Sequence, residues 1–157
     1  RAAIPGAAAA VLVKDPRSGA TRSVSFRQFQ RDIQSLAASL RDMGLAGSHI
    51  AIISENRYEW CVSYLAIACG GSVVVPIDRE LPEHELGILL QRSGARAVLC
   101  SAEYAARITE MRRELPALER ILDFDADGET ASACSFWKTM RAGRAALDAG
   151  TASLAAQ

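Results

Sequence analysis

Two histidines, His49 and His84, and four cysteines, Cys61, Cys69, Cys100 and Cys134, are the residues best suited to hold a metal or attack a substrate. Metal sites need such groups at spacings that let them converge on one point. No cysteine pair has CxxC spacing, and His84 stands between Glu83 and Glu85 in what reads as a first helical turn. Adjacent helical positions point apart, so this trio is no metal cage but solvated charge favoured by the helix dipole. No metal ligand is assigned. The cysteines read as reduced, mostly buried thiols of a cytosolic protein rather than as a disulfide framework. Cys100 stands at a strand end, as a nucleophile would, but no histidine is placed to activate it. Asp78 ends an apolar run, as a phosphoacceptor would. That chemistry needs an acidic pair after the first strand to hold a divalent cation, and the sequence there is Ser54-Glu55-Asn56. A phosphate cradle needs glycines that free backbone N–H groups. Neither GxxxxGK[ST] nor GxGxxG occurs, and the only lysines are Lys14 and Lys138. No residue is assigned a catalytic role.

The bulk properties narrow the class. The chain has 157 residues, of which 50% are hydrophobic and 23% charged. That is globular composition, long enough for one real core. Eighteen basic residues balance 18 acidic ones, and aromatics are only 6%, so neither a phosphate-tracking surface nor a base-stacking platform is expected. Residues 7–13 are apolar, but Pro5-Gly6 and Lys14-Asp15 bracket them, a poor fit to a signal peptide. Residues 60–77 carry no charge, yet Gly70-Gly71, Ser72 and Pro76 divide them. They read as a buried helix, a glycine turn and a buried strand rather than a membrane span.

The elements that must position any site follow from periodicity. Residues 11–14 and 21–24 are β-prone runs around Asp15-Pro16-Arg17-Ser18-Gly19, the pattern of a hairpin. Ser25 with Gln28 forms a capping box for a helix whose apolar face runs Phe26, Phe29, Ile33, Leu36, Leu40, Met43 and ends at Gly44. Strand 50–53 follows. Asn56, with Glu59 at the capping-box position, opens a helix to Cys69 that is apolar on nearly all sides, which predicts protein cover on most of its circumference. Residues 73–77 lack in/out alternation, as in a parallel strand buried on both faces. Pro82 opens a helix with Leu86, Leu89 and Leu90 inward, closed by Gly94. Then come strand 97–100, a Ser101-capped helix through Tyr104, Ile108, Met111 and Leu115, strand 121–124, a loop at 125–133 and a helix at 136–147. The expected fold is α/β: a mostly parallel sheet with helices on both faces and a short N-terminal hairpin, residues 50–53 and 73–77 being neighbouring interior strands. Ligands on such sheets sit beyond the strands' carboxyl ends, here Ser54-Glu55-Asn56, Asp78-Arg79 and Cys100-Ser101.

Several stretches resemble a known family. Val24-Ser25-Phe26-Arg27-Gln28-Phe29 is similar to the first core motif of adenylate-forming, or AMP-binding, enzymes, a Thr/Ser-Tyr-x-x-Leu helix start. Leu65-Ala66-Ile67-Ala68-Cys69-Gly70-Gly71-Ser72-Val73-Val74-Val75-Pro76-Ile77-Asp78 resembles the second, a helix-Gly-Gly-strand ending Val-Pro-Ile-Asp. Between them, Leu40-Arg41-Asp42-Met43-Gly44-Leu45 and Ile50-Ala51-Ile52-Ile53-Ser54-Glu55-Asn56 match the family's helix end and strand. Asn56-Arg57-Tyr58-Glu59-Trp60 resembles the Asn-x-x-Glu-Trp of the acyl-CoA synthetase branch, which includes the long-chain fatty acid–CoA ligases. The likeness runs from residue 11 to 147. In physical terms these motifs carry fold: Phe26 and Phe29 read as core anchors, and Gly70-Gly71 let the helix turn into a strand.

The resemblance implies a two-step reaction on a carboxylate, with a fatty acid as the expected substrate. The carboxylate attacks ATP to give acyl-AMP and pyrophosphate, and coenzyme A then displaces AMP to form a thioester, with Mg²⁺ assisting. The family's phosphate loop, its ATP-positioning acidic residues and its lid lysine have no match here. The chain opens on Arg1 rather than Met and is expected to be a piece of a cytoplasmic parent ligase. In this reading residues 1–10 are an extension, 11–147 the N-terminal α/β subdomain of an AMP-binding domain, and 148–157 a tail toward the phosphate-loop region. ATP, Mg²⁺ and coenzyme A then belong to the parent, and the piece alone is inert. One residue is a candidate exception. Arg79 stands just after the second core strand, where some coenzyme A ligases of the family place a basic residue against the coenzyme A nucleotide. The expected partners are a small-molecule carboxylate and the remaining subdomains of the same polypeptide, with no nucleic acid and no transmembrane segment. An exposed apolar patch would make the isolated piece self-associate. The alternatives are an amino-acid-activating adenylation domain and a non-catalytic α/β binding or regulatory module. Whether the reading frame continues past Gln157 into a Ser/Thr/Gly-rich loop separates the ligase reading from the freestanding module.

Overall fold

The structure, a computed structural model, describes residues 9–14, 20–130 and 132–151. Strands β1 (Ala9–Lys14) and β2 (Thr21–Ser25) pair antiparallel, as the β-prone runs predict. The turn foreseen at 15–19 lies outside the described residues. Helix α1 (Phe26–Asp42) starts where Ser25 Oγ accepts the Gln28 N–H at 3.2 Å. The reciprocal half of the capping box does not form, because the Gln28 amide instead donates to Asp32 Oδ1 at 2.8 Å. Gly44, just past the helix end, takes the left-handed conformation at φ 74° that glycine adopts without a Cβ penalty.

The remaining strands, β3 (His49–Ile53), β4 (Val73–Pro76), β5 (Ala97–Cys100), β6 (Arg120–Asp123) and β7 (Cys134–Ser135), form one sheet in the order β4-β3-β5-β6-β7. Every pairing in it is parallel. Alternate residues feed two cores. Ile50, Ile52, Leu99 and Leu122 pack with Leu36, Val62 and Phe136 from α1, α2 (Tyr58–Cys69) and α5 (Phe136–Asp148). Ala51, Ile53, Val98 and Ile121 pack with Leu86, Tyr104 and Ile108 from α3 (Glu83–Ser93) and α4 (Ala102–Glu110). Helices therefore cover both faces, as expected of parallel strands.

Packing corrects the sequence expectations in several places. β3 and β4 are parallel neighbours, but β4 is an outer strand and not an interior one, and Val73 is 48% exposed. The N–H groups of Val73 and Ile77 point inward, to the Ser48 and Ile52 carbonyls. By alternation Pro76 faces the outer rim, where a missing N–H costs the sheet nothing. Phe26 is no core anchor but 41% exposed, and Phe29 is half-buried against the Tyr58 ring. In α3 only Leu86 and Leu90, one turn apart, are buried; Leu89 lies off that line and is exposed. The helix after Ser101 does not run to Pro116. It tightens into a 3-10 turn, Arg112–Glu114, before burying Leu115. β7 falls between the loop and the last helix read from the sequence, which assigns it to neither, since two residues are too short for a periodic signal. The thiols are also less buried than expected: only Cys100 is buried, while Cys61 and Cys69 are exposed.

Helices α1 and α5, far apart in the sequence, pack tightly together. At Gly143 an added Cβ would collide with the Ser35 carbonyl, so only glycine lets α5 approach α1 this nearly. Ser39 Oγ donates to the Thr139 carbonyl at 2.6 Å across that contact. Beside it Asp32, 5% exposed, accepts from Arg144 Nη2 at 2.8 Å and from the Tyr58 hydroxyl at 2.7 Å. Burial and this hydrogen bond raise the Tyr58 hydroxyl above its ordinary pKa.

Candidate functional site

The strand order reverses between β3 and β5, since the chain leaves β3 for β4 on one side and continues through β5 on the other. A crevice at such a switch point, beyond the carboxyl ends of the strands, is where an open α/β sheet receives ligands. The structure brings the expected residues Ser54-Glu55-Asn56 and Cys100-Ser101 to this rim and adds Arg57, Asp123 and Asp125.

Arg57 dominates the rim. Its Nε donates to Glu59 Oε2 at 2.8 Å, and its Nη1 donates to Glu55 Oε1 at 3.2 Å and Asp125 Oδ1 at 2.8 Å. Its guanidinium also lies over the Phe124 ring, 5.4 Å from the centroid. Burial alone would lower its pKa, but the hydrogen bonds it donates to Glu59 and Asp125 outweigh that and hold the charge firmly. This clamp replaces the Asn56 cap foreseen for α2: Arg57 occupies the N-cap position without capping, and Glu59 bonds to it rather than completing a box. The cap foreseen for α4 is replaced too. Ser101 makes no side-chain cap, and the Ala102 N–H donates instead to Asp125 Oδ2 at 3.0 Å. Sequence reasoning missed Asp125 because nothing local in a polar stretch marks one carboxylate as the cap of a helix from another strand.

Cys100 lies at the rim but has no nucleophilic character. It is fully buried, and burial, with Asp123 and Asp125 nearby, pushes its thiol well above the ordinary range. Asp78 accepts the Glu80 N–H at 2.9 Å and so folds its own turn. Arg79 lies in the turn after β4. Its side chain is 55% exposed and 3.9 Å from Glu80, and the Tyr104 hydroxyl pins its carbonyl at 2.9 Å. His49 opens β3 at the opposite edge of the sheet, and His84 stands in the first turn of α3, 75% exposed. The two histidines do not come together.

A family model of AMP-binding enzymes matches residues 2–150. The chain belongs to the AMP-binding enzyme family. This AMP-binding chain is 29% identical over 115 residues to the long-chain-fatty-acid–CoA ligase FadD15 of Mycobacterium bovis, covering 72% of itself and 19% of that protein. It is 26% identical over 112 residues to tyrocidine synthase 2 of Brevibacillus parabrevis, covering 71% of itself and 3% of that protein. Its fold matches the crystal structure of the anthranilate CoA ligase AuaEII in complex with anthranoyl-AMP at a TM-score of 0.72 and 25% identity, covering 77% of this chain and 23% of that one. The chain thus spans about a fifth of the length of these CoA ligases.

The groups that an AMP-binding enzyme uses can be tested against the rim. A triphosphate needs free N–H groups and cations, whereas here Asp125 already takes the α4 N-terminus and three carboxylates take Arg57. Of the left-handed glycines among the described residues, Gly44, Gly47, Gly71 and Gly94 precede strands at the far edge of the sheet, and Gly150 follows α5. Among the described residues no group of three His, Cys, Asp or Glu side chains could hold a metal ion. The rim does not fit ATP or Mg²⁺, and no reaction step is derived through them. Among the described residues no helix is long and apolar enough to cross a membrane.

Proposed function

We propose that this chain is the N-terminal part of a cytoplasmic, ATP-dependent acyl-CoA synthetase that activates a fatty acid as acyl-AMP and passes it to coenzyme A. The chain itself supplies scaffold and no catalysis. The observation that carries this reading is the match to FadD15 across 72% of the chain, combined with a switch-point crevice in which Arg57 is held by Glu55, Glu59 and Asp125 of the chain itself. Ordering five parallel strands and clamping their ends is what such a scaffold contributes to a site completed by other segments.

The test is pyrophosphate release. The 157-residue chain, supplied with ATP, Mg²⁺, coenzyme A and a long-chain fatty acid, is expected to show no turnover above background. The longer reading frame is expected to turn over with the fatty acid and not with amino acids. Preference for an amino acid would move the parent to the amino-acid-activating adenylation domains. Turnover by the chain alone would overturn the scaffold reading.

In this reading Arg79 contributes one charged contact to the phosphates of coenzyme A, from a solvent-facing turn between Asp78 and Glu80. Arg79→Ala in the longer protein is expected to raise KM for coenzyme A several-fold while leaving acyl-AMP formation unchanged. An unchanged KM makes Arg79 an ordinary surface residue.

A further inference from the structure

Tyr104 links two strand ends at the switch point. It belongs to α4, the helix that follows β5, and its hydroxyl donates at 2.9 Å to the carbonyl of Arg79, in the turn that follows β4. In the sheet β5 and β4 flank β3, so one side chain ties together the two ends on either side of it. The ring is 7% exposed and packs in the core that holds Ile53, Ile77 and Ile108. Burial raises its hydroxyl above the ordinary pKa, so at neutral pH it is a protonated donor. The turn is held elsewhere too. The Ile77 N–H donates to the Ile52 carbonyl at 2.9 Å, and Asp78 Oδ1 accepts the Glu80 N–H at 2.9 Å. Arg107, three residues on from Tyr104, lies 5.4 Å from the centroid of its ring and 3.8 Å from Glu83, the first residue of α3. Helix α4 therefore holds both ends of the segment from 79 to 83. The Arg79 side chain is the part left to move: it is 55% exposed, and its guanidinium stands 3.9 Å from Glu80, beyond hydrogen-bond distance. An arginine on a fixed backbone gives up only side-chain freedom when it takes an anion, whereas one on a loose turn gives up backbone freedom as well.

We propose that Tyr104 is a positioning residue: through the Arg79 carbonyl it holds the Arg79 guanidinium where that group meets a phosphate of coenzyme A. This deepens the ligase reading and rests on the Arg79 contact stated with it. Tyr104 itself touches no substrate, and its effect passes through the turn.

The test uses the longer protein and two separate rates, acyl-AMP formation by pyrophosphate exchange and thioester formation against coenzyme A concentration. Tyr104→Phe deletes the hydroxyl alone. It is expected to raise KM for coenzyme A about threefold, within what one neutral hydrogen bond contributes, with kcat and acyl-AMP formation as in the wild type. In an Arg79→Ala background the same substitution is expected to add nothing, because the group it positions is gone. A KM that rises with Arg79→Ala but not with Tyr104→Phe overturns the positioning role and leaves the Arg79 contact standing. An equal rise in both backgrounds, or a fall in acyl-AMP formation, makes Tyr104 an ordinary packing residue and overturns the role as well. A KM that neither substitution moves removes the contact and the positioning role together, while turnover with the fatty acid is read independently. Where Tyr104→Phe does not fold, Arg107→Gln decides. It releases Glu83 and the face of the Tyr104 ring but keeps the hydroxyl, and is expected to raise KM about twofold; an unchanged KM then overturns the inference.

Discussion

The α1–α5 contact and the α2–β4 edge invert the usual expectation of what is buried. In the first, Asp32, Ser35, Ser39 and Thr139 are buried to 7% exposure or less. In the second, Tyr64 and Val73 are 37% and 48% exposed. The polar residues go inside because each finds a partner: Arg144 and Tyr58 for Asp32, the Arg31 carbonyl for Ser35, the Thr139 carbonyl for Ser39. Among the described residues no fully buried side-chain nitrogen or oxygen lacks a hydrogen bond. The apolar residues stay outside because nothing in the described chain reaches them. Polarity decides what a residue costs to bury, and the arrival of a partner decides whether it is buried.

Substitutions at the closed contact should break this contrast first. Gly143→Ala drives a methyl into the Ser35 carbonyl and separates α1 from α5, with an expected loss of about 3 kcal/mol, the upper end for overpacking, read from the urea midpoint. A midpoint equal to wild type would mean the helices are not held this closely. Asp32→Ala leaves the Tyr58 hydroxyl and Arg144 without their acceptor and should cost about 2 kcal/mol, since Arg144 is partly solvated. Tyr58→Phe is a milder probe with a pH signature. The folded-state pKa of Tyr58 is raised from its ordinary value near 10, so its contribution is complete below pH 10. That contribution is lost as pH climbs above 10, because the unfolded state ionises first. Urea midpoints of the wild type should fall more steeply above pH 10 than those of Tyr58→Phe, and parallel curves would contradict the buried hydrogen bond. At the open edge, Tyr64→Ser should change stability by less than about 0.5 kcal/mol while reducing self-association of the isolated chain in light scattering.

Much of the fold was legible in advance, for local reasons. Ser25, Gly44 and Gly94 mark helix ends through their own backbone chemistry, and they do so in the structure. The four-residue apolar run at Ala97–Cys100 is a strand as read from the sequence, and the structure buries it fully at the centre of the sheet. The site was less legible. Ser54 and Cys100 reach the rim as foreseen, but the group that fills it, Arg57 with Asp125, is joined across 68 residues of sequence. No spacing rule links the two.

From the sequence alone came the alternation of strands and helices, the parallel sheet and the family resemblance, because periodicity and cap residues act over a few neighbouring positions. Only the tertiary structure decided that β4 lies at the rim, that Phe26 and Leu89 face water, that Asp125 caps α4 and that Asp32 is enclosed. Periodicity tells which side chains share a face. Whether a face is covered depends on elements far away along the chain, and their arrival is a property of the assembled fold.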